Sequence, residues 1–280
     1  MHTPALAGSQ ADALLARHAS MQAQLAASPL GRDLVVDSAE LPDGLRGEVF
    51  AVVDHDFAQV RQALTRPGNW CEMLLLHINN RRCSLGKGEG GARTLSLSVV
   101  RRYDLAVESA FVLPLVLRVD DSSAADYLLV ELRSDAGPLG TNAHLVRVEA
   151  VPLPEATGKT FLHFSYSYEH SALVRMATQA YLATFGRHKV GFTVVGQSDQ
   201  GKPDYIRGLR GLVERNSVRY FLTVEAYLDA MSAPPAQQVE RRMQNWYAGA
   251  ERYPRQLHEI NLETYLAIKR GDRTRAAPSP

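Results

Sequence analysis

The sequence predicts an α+β protein whose sheet is an antiparallel meander. Six β-type runs follow one another between residues 78 and 168 without an intervening helix, turn-forming residues separate most of them, and a helical period takes over after Tyr168. Short turns join antiparallel neighbours, because a parallel pair needs a crossover of about a dozen residues or more. The chain has 280 residues, 45% hydrophobic and 22% charged, ordinary values for a chain that buries a core. Thirty-one Lys and Arg against 30 Asp and Glu leave a net charge of +1. No global field therefore draws nucleic acid or an anionic membrane. The longest apolar runs, such as residues 112–117, are far short of the roughly 20 residues that cross a bilayer. The expected partner set thus contains no nucleic acid and no integral membrane segment.

Taken in order, Ala5-Leu6-Ala7 reads either as an Ala-rich disordered start or as the remnant of a secretory cleavage site. Leu14, His18, Met21 and Leu25 share one face of a helix expected over Asp12–Ala26. Pro42-Asp43-Gly44 is a turn, and Gly47–Val53 a strand. Asp56 with Gln59 caps a helix running to Leu64. Arg66-Pro67-Gly68 breaks it, and Asn69 is the expected cap of a second helix, Trp70–Leu76. The six runs are Ile78–Leu85, Arg93–Tyr103, Ser109–Val119, Asp126–Ser134, Thr141–Val151 and Thr160–Tyr168. Ser171 caps a helix carrying Leu173, Met176, Ala177, Ala180, Tyr181 and Thr184. Further helices are expected over Leu209–Ala230, Pro235–Ala250 and Leu262–Arg270. Arg207, Arg210, Arg215 and Arg219 read as a solvated face of the first of these, whose apolar stripe packs on the main domain. From Gly271 onward no large apolar side chain anchors the chain, so a loose tail is expected.

This order of strand, two short helices, six antiparallel strands and a long helix resembles the START-like, or SRPBCC, superfamily over roughly Gly47 to Val195. The texture agrees in Val52-Val53-Asp54-His55-Asp56-Phe57 leading into a helix, Trp70 in the next, Arg102-Tyr103, and Phe164-Ser165-Tyr166-Ser167-Tyr168. The resemblance implies a helix-grip fold: a seven-stranded antiparallel curved sheet around a long helix, here the one beginning near Ser171, with extra N- and C-terminal helices. The chain then divides into an N-terminal helix and linker (1–46), the START-like domain (47–195) and a C-terminal helical extension packed on it (196–280). A curved sheet cannot lie flush on a helix, so a cavity tends to remain. The expected function is binding or carriage of a hydrophobic small molecule, such as a lipid, between sheet and helix. The alternatives are a polyketide cyclase- or aromatase-like enzyme, with His144, Tyr166 or Tyr168 in acid–base roles, and a module whose extra helices dock a protein partner.

Strand alternation selects the concave face. It places Phe111, Leu113, Val130, His144, Val146, Phe164, Tyr166 and Tyr168 together, with Arg101 and Tyr103 at the end of their run. His77 is expected near the cavity mouth, and Met176 on the gripped helix. No catalytic set assembles, and no cofactor or metal is expected. Gly86-Lys87-Gly88-Glu89-Gly90-Gly91 has the spacing of a dinucleotide loop but joins two strands, and His258-Glu259 lacks the second histidine of a zinc-protease helix. Cys71 and Cys83 are either bridged, which would add about 3 kcal/mol, or two unpaired buried thiols. Together with Ala5-Leu6-Ala7 they point towards an oxidising, periplasmic compartment rather than the cytoplasm.

Overall fold

An eight-stranded antiparallel sheet grips one long helix. The computed structural model describes residues 4–122, 126–184 and 186–276. Helix α1 (Pro4–Ala26) precedes a hairpin of β1 (Leu34–Leu41) and β2 (Gly44–Val53), and two short helices follow, α2 (Phe57–Leu64) and α3 (Pro67–Leu74). The meander consists of β3 (Asn80–Lys87), β4 (Arg93–Val99), β5 (Phe111–Ser122), β6 (Tyr127–Ala136), β7 (Thr141–Pro152) and β8 (Thr160–His170). Then come α4 (Ala172–Ala183), a small hairpin of β9 (Val194–Gln197) and β10 (Pro203–Tyr205), α5 (Gly208–Asp229), α6 (Pro235–Glu251), α7 (Pro254–Leu257) and α8 (Leu262–Ala276). The sheet order is β1-β2-β8-β7-β6-β5-β4-β3, every neighbour antiparallel.

The sheet has eight strands rather than seven. The additional one, β1, is an edge strand whose polar Asp37, Ser38 and Glu40 weaken its β signature, but the Pro42-Asp43 turn pairs Leu41 with Gly44 and sets its register. The helix in the grip is α5, not the one after Ser171. Val218, Phe221, Leu222 and Val224 of α5 join one core with Val49, Leu113, Val130, Val146 and Phe164 of the sheet. Gly47 permits the approach, since a Cβ there would stand 2.4 Å from Ser217 Oγ. By contrast, α4 buries Leu182 alone and shows Leu173, Met176 and Tyr181 to solvent. Helical period revealed both helices. What hid the role of α5 was its charge: Arg215 and Arg219, which read as solvated, are buried, and so are Glu214 and Glu225.

Most of these charges are matched. Glu214 accepts bonds from Ser38 Oγ at 2.6 Å, the Phe192 N–H at 2.6 Å and Thr193 Oγ1 at 2.7 Å, tying α5 to β1 and to the segment before β9. Glu225 pairs with Arg32, and Arg219 with Glu259. The expected loose tail is held the same way. Asp272 of α8, 2% exposed, accepts from Arg81 Nε of β3 at 2.8 Å and lies 3.4 Å from Lys269 Nζ. An ionic anchor thus does what an apolar side chain would have done. Residues 277–280 lie outside the described residues.

The opposite face of the sheet is covered by α1. Ala11, Leu14, Met21 and Leu25 pack on Phe50, Tyr127, Leu129, Val151 and Phe161. Ala5–Ala7 lie within this helix. Asp56 caps α2 as expected, accepting from the Gln59 N–H at 2.7 Å. Asn69 does not cap α3, whose N-cap is Arg66; its amide turns back to the Ala63 carbonyl at 2.8 Å. Cys71 and Cys83 are bridged, with Cα atoms 5.4 Å apart, stapling α3 to β3. Among the described residues no helix is long and apolar enough to cross a membrane.

Candidate functional site

The chemistry-bearing residues of the concave face gather where β7 and β8 pass beneath α4. Asn142 pairs with Glu169 and Leu145 with Ser167, so two residues, Ala143 and His144, stand opposite Tyr168 alone. Ala143 takes φ +47°, a left-handed conformation sparsely used by residues other than glycine. This bulge aims His144 into the concave face, a use to which bulges near binding sites are commonly put. Its ring stacks on Tyr168 at 5.4 Å between centroids. Gly137 makes room, since a Cβ there would fall 1.9 Å from His144 Nε2.

Hydrogen bonds fix the tautomer of His144. Thr141 Oγ1 donates its single proton to the Pro138 carbonyl at 2.6 Å. At 2.8 Å from His144 Nε2 it must then accept, so Nε2 carries the hydrogen. Nδ1 is left with a lone pair, and the Tyr166 hydroxyl, 3.1 Å away, donates to it. The chain runs from Tyr166 O–H through neutral His144 to Thr141 and ends on a backbone carbonyl. The Tyr166 oxygen keeps lone pairs for another donor. Burial pushes His144 down to about 4 and Tyr168 up to about 12, and holds Tyr166 well above its ordinary value.

Aromatic contacts extend the cluster into the grip. Tyr166 meets Tyr220 of α5 at 5.6 Å, and Tyr220 stacks on His77 at 4.7 Å. His77 is fully enclosed; burial first, then Arg219 and Lys269, hold it well below its usual range. His170 continues the Tyr166, Tyr168 alternation, and neither of its buried ring nitrogens has a hydrogen-bond partner. Leu113, Val130, Val146 and Phe164 lie in the core behind the cluster, and Tyr103 and Phe111 pack against its edge. Two expected lining residues lie elsewhere. β4 ends at Val99, so Arg101 is exposed in the following loop, and Met176 is 65% exposed on the outer side of α4. Tyr220 and His170 were not expected. Continuing the β8 parity by two residues would have found His170, whereas Tyr220 depends on which helix is gripped.

A second polar cluster lies on the opposite face. His163 Nδ1 is 2.9 Å from Glu149 Oε2 and Nε2 is 3.1 Å from Glu48 Oε1, while Tyr127 donates to Glu149 at 2.6 Å. It borders a cavity of about 240 Å³ under α1, lined by Gln10, Leu14, Arg17 and Phe50 among others. Burial opposes a charge on His163, but its two carboxylate partners outweigh it and raise its pKa. A cleft of about 380 Å³ opens between α2 and the end of α5, at Gln59, Arg66, Asn69, Tyr227 and Gln238. The amides of Asn69 and Gln238 already bond backbone carbonyls, leaving them little to offer a ligand. No group of three or more His, Cys, Asp or Glu suited to a metal occurs among the described residues.

No protein-family model and no curated protein sequence matches the chain. Solved structures do align with it. Norcoclaurine synthase from Thalictrum flavum aligns at TM-score 0.35 and 13% identity, over 55% of this chain and 82% of that one. Human StAR-related lipid transfer protein 5 aligns at 0.34 and 13%, over 66% and 91%. A conserved protein of unknown function from Enterococcus faecalis aligns at 0.33 and 9%, over 92% and 99%.

Proposed function

We propose that the chain binds a hydrophobic small molecule between the concave face and α5, with Tyr166 holding its polar end. The observation that carries this reading is the directed chain from Tyr166 through His144. It fixes the phenol, leaves its oxygen free to accept, and sits against the apolar wall of Val146 and Phe164. The same groups favour binding over acid–base catalysis. General acids and bases work best with pKa values near the operating pH, whereas here the imidazole is held at about 4 and the phenols are pushed upward. Entry would pass beneath α4, whose one buried side chain, Leu182, makes it the least anchored cover of the site. The Cys71–Cys83 bridge is compatible with an oxidising compartment, and we place the protein's working environment there.

The test is uptake of the neutral dye Nile red by the full chain and by Val146→Trp. The variant should take up less dye while still unfolding cooperatively. Overpacking alone can cost about 1–3 kcal/mol, so stability is measured alongside. Unchanged uptake by a folded variant would contradict the assignment.

A further inference from the structure

Arg215 of α5 is 4% exposed, yet it forms no ion pair among the described residues, and its buried Nε has no hydrogen-bond partner. The other enclosed cations are matched: Arg81 and Lys269 by Asp272, Arg32 by Glu225, Arg242 by Glu72, Arg219 by Glu259. Burying a guanidinium whose nearest carboxylate, Glu259, is already paired with Arg219 is unfavourable, and such groups persist where something other than stability retains them. Its position connects it to the site. Arg215 lies within electrostatic range of Arg219, of Glu259 and of Tyr181 on α4, and Arg219 within range of His77. His77 stacks on Tyr220, which packs against Tyr166. Across the same side, Arg102 in the loop after β4 is within range of Tyr181.

We propose that Arg215 is the anchor of an anionic ligand, and that the molecule in the grip is an amphiphile bearing a single carboxylate. This rests on the ligand-binding reading above and names its chemical class. Glu259 faces both arginines and pairs with Arg219, so one carboxylate serves two guanidinium groups and one positive charge is left over, which suits a monoanion. A phosphate dianion would leave a buried negative charge in its turn. The head would bond Arg215 in the two-pronged manner that a planar guanidinium offers a carboxylate, and the tail would lie along Tyr220 towards Phe164.

Isothermal titration of the full chain with sodium dodecanoate, 1-dodecanol and sodium acetate tests this. Dodecanoate should bind at least about tenfold tighter than dodecanol, the scale of a hydrogen-bonded charge. Arg215→Gln should erase that preference while dodecanol binding persists, and Arg215→Lys should keep part of it. Equal binding of the two amphiphiles by wild type, or a preference that survives Arg215→Gln, would overturn the anion anchor and leave the ligand reading intact. Acetate binding as tightly as dodecanoate would overturn the amphiphile. If neither amphiphile binds, both readings fall. Arg215→Met separates a binding role from a structural one. Relieved of an unpaired buried charge, it should melt at a higher temperature than wild type, and a clear drop would overturn the proposal.

Discussion

Two histidines on neighbouring strands, His144 of β7 and His163 of β8, face opposite sides of the sheet and are treated in opposite ways. His163 lies between Glu48 and Glu149, and its pKa is raised. His144 lies between a threonine and a tyrosine, and its pKa is held at about 4. Burial disfavours the charge on both rings. Only His163 has carboxylates to overcome it. One face of the sheet therefore clamps strands β2, β7 and β8 with charge, and the other keeps a neutral, directional hydrogen-bond chain beside apolar walls. The convex cluster reads as structural, because its histidine, tyrosine and two carboxylates are bonded to one another and α1 covers it. The concave one retains spare acceptors and unpartnered nitrogens, which suits binding.

The most damaging way to break the contrast is Glu149→Ala. It removes the acceptor of His163, Tyr127 and Arg147 at once. Losing one partner of a buried pair costs about 3–5 kcal/mol, and chemical denaturation should report a loss near about 4 kcal/mol. A loss under about 1 kcal/mol would mean that the convex cluster is not a clamp.

A pH series sharpens the contrast. His144 has a folded pKa of about 4 against an ordinary 6.5, so between these values the unfolded chain binds a proton that the native one refuses. Stability from this group is full above 6.5 and is lost as pH falls towards 4. The stability gap between wild type and His144→Gln should accordingly narrow by up to about 3 kcal/mol from pH 7 to pH 4. His163 has the opposite sign. Its contribution is full below 6.5 and is lost as pH rises through its raised value, so the gap to His163→Gln should narrow in alkali. Matching slopes for the two variants would contradict the contrast.

The smallest effect is expected from Tyr166→Phe, which leaves His144 Nδ1 without its donor. One neutral hydrogen bond is lost, and a cost of about 1 kcal/mol is expected in the same denaturation assay. A loss above about 3 kcal/mol would make Tyr166 a structural residue.

Much of this arrangement was legible in the sequence. The parity of β7 and β8 put His144, Val146, Phe164, Tyr166 and Tyr168 on one face and His163 on the other, because a strand's period of two leaves no freedom once the face is chosen. Turn chemistry gave the antiparallel meander. The gripped helix was not legible, since the charges of α5 look alike whether solvated or satisfied by Ser38, Thr193, Arg32 and Glu259, residues distant in sequence. The same limit hid Asp272, whose partner Arg81 lies on β3. Arg101 and Met176 were misplaced for local reasons: β4 stops two residues before Arg101, and the apolar stripe of α4 faces outward.

The concave cluster is neutral and directional whereas the convex one is charged. Nitrogen-15 NMR of the imidazole rings tests it directly, by following His144 and His163 from about pH 6 to about pH 9. The expected result is that His144 stays neutral throughout, hydrogen on Nε2 and lone pair on Nδ1, while His163 titrates above 6.5. His144 titrating near 6.5, or carrying its hydrogen on Nδ1, would contradict the account.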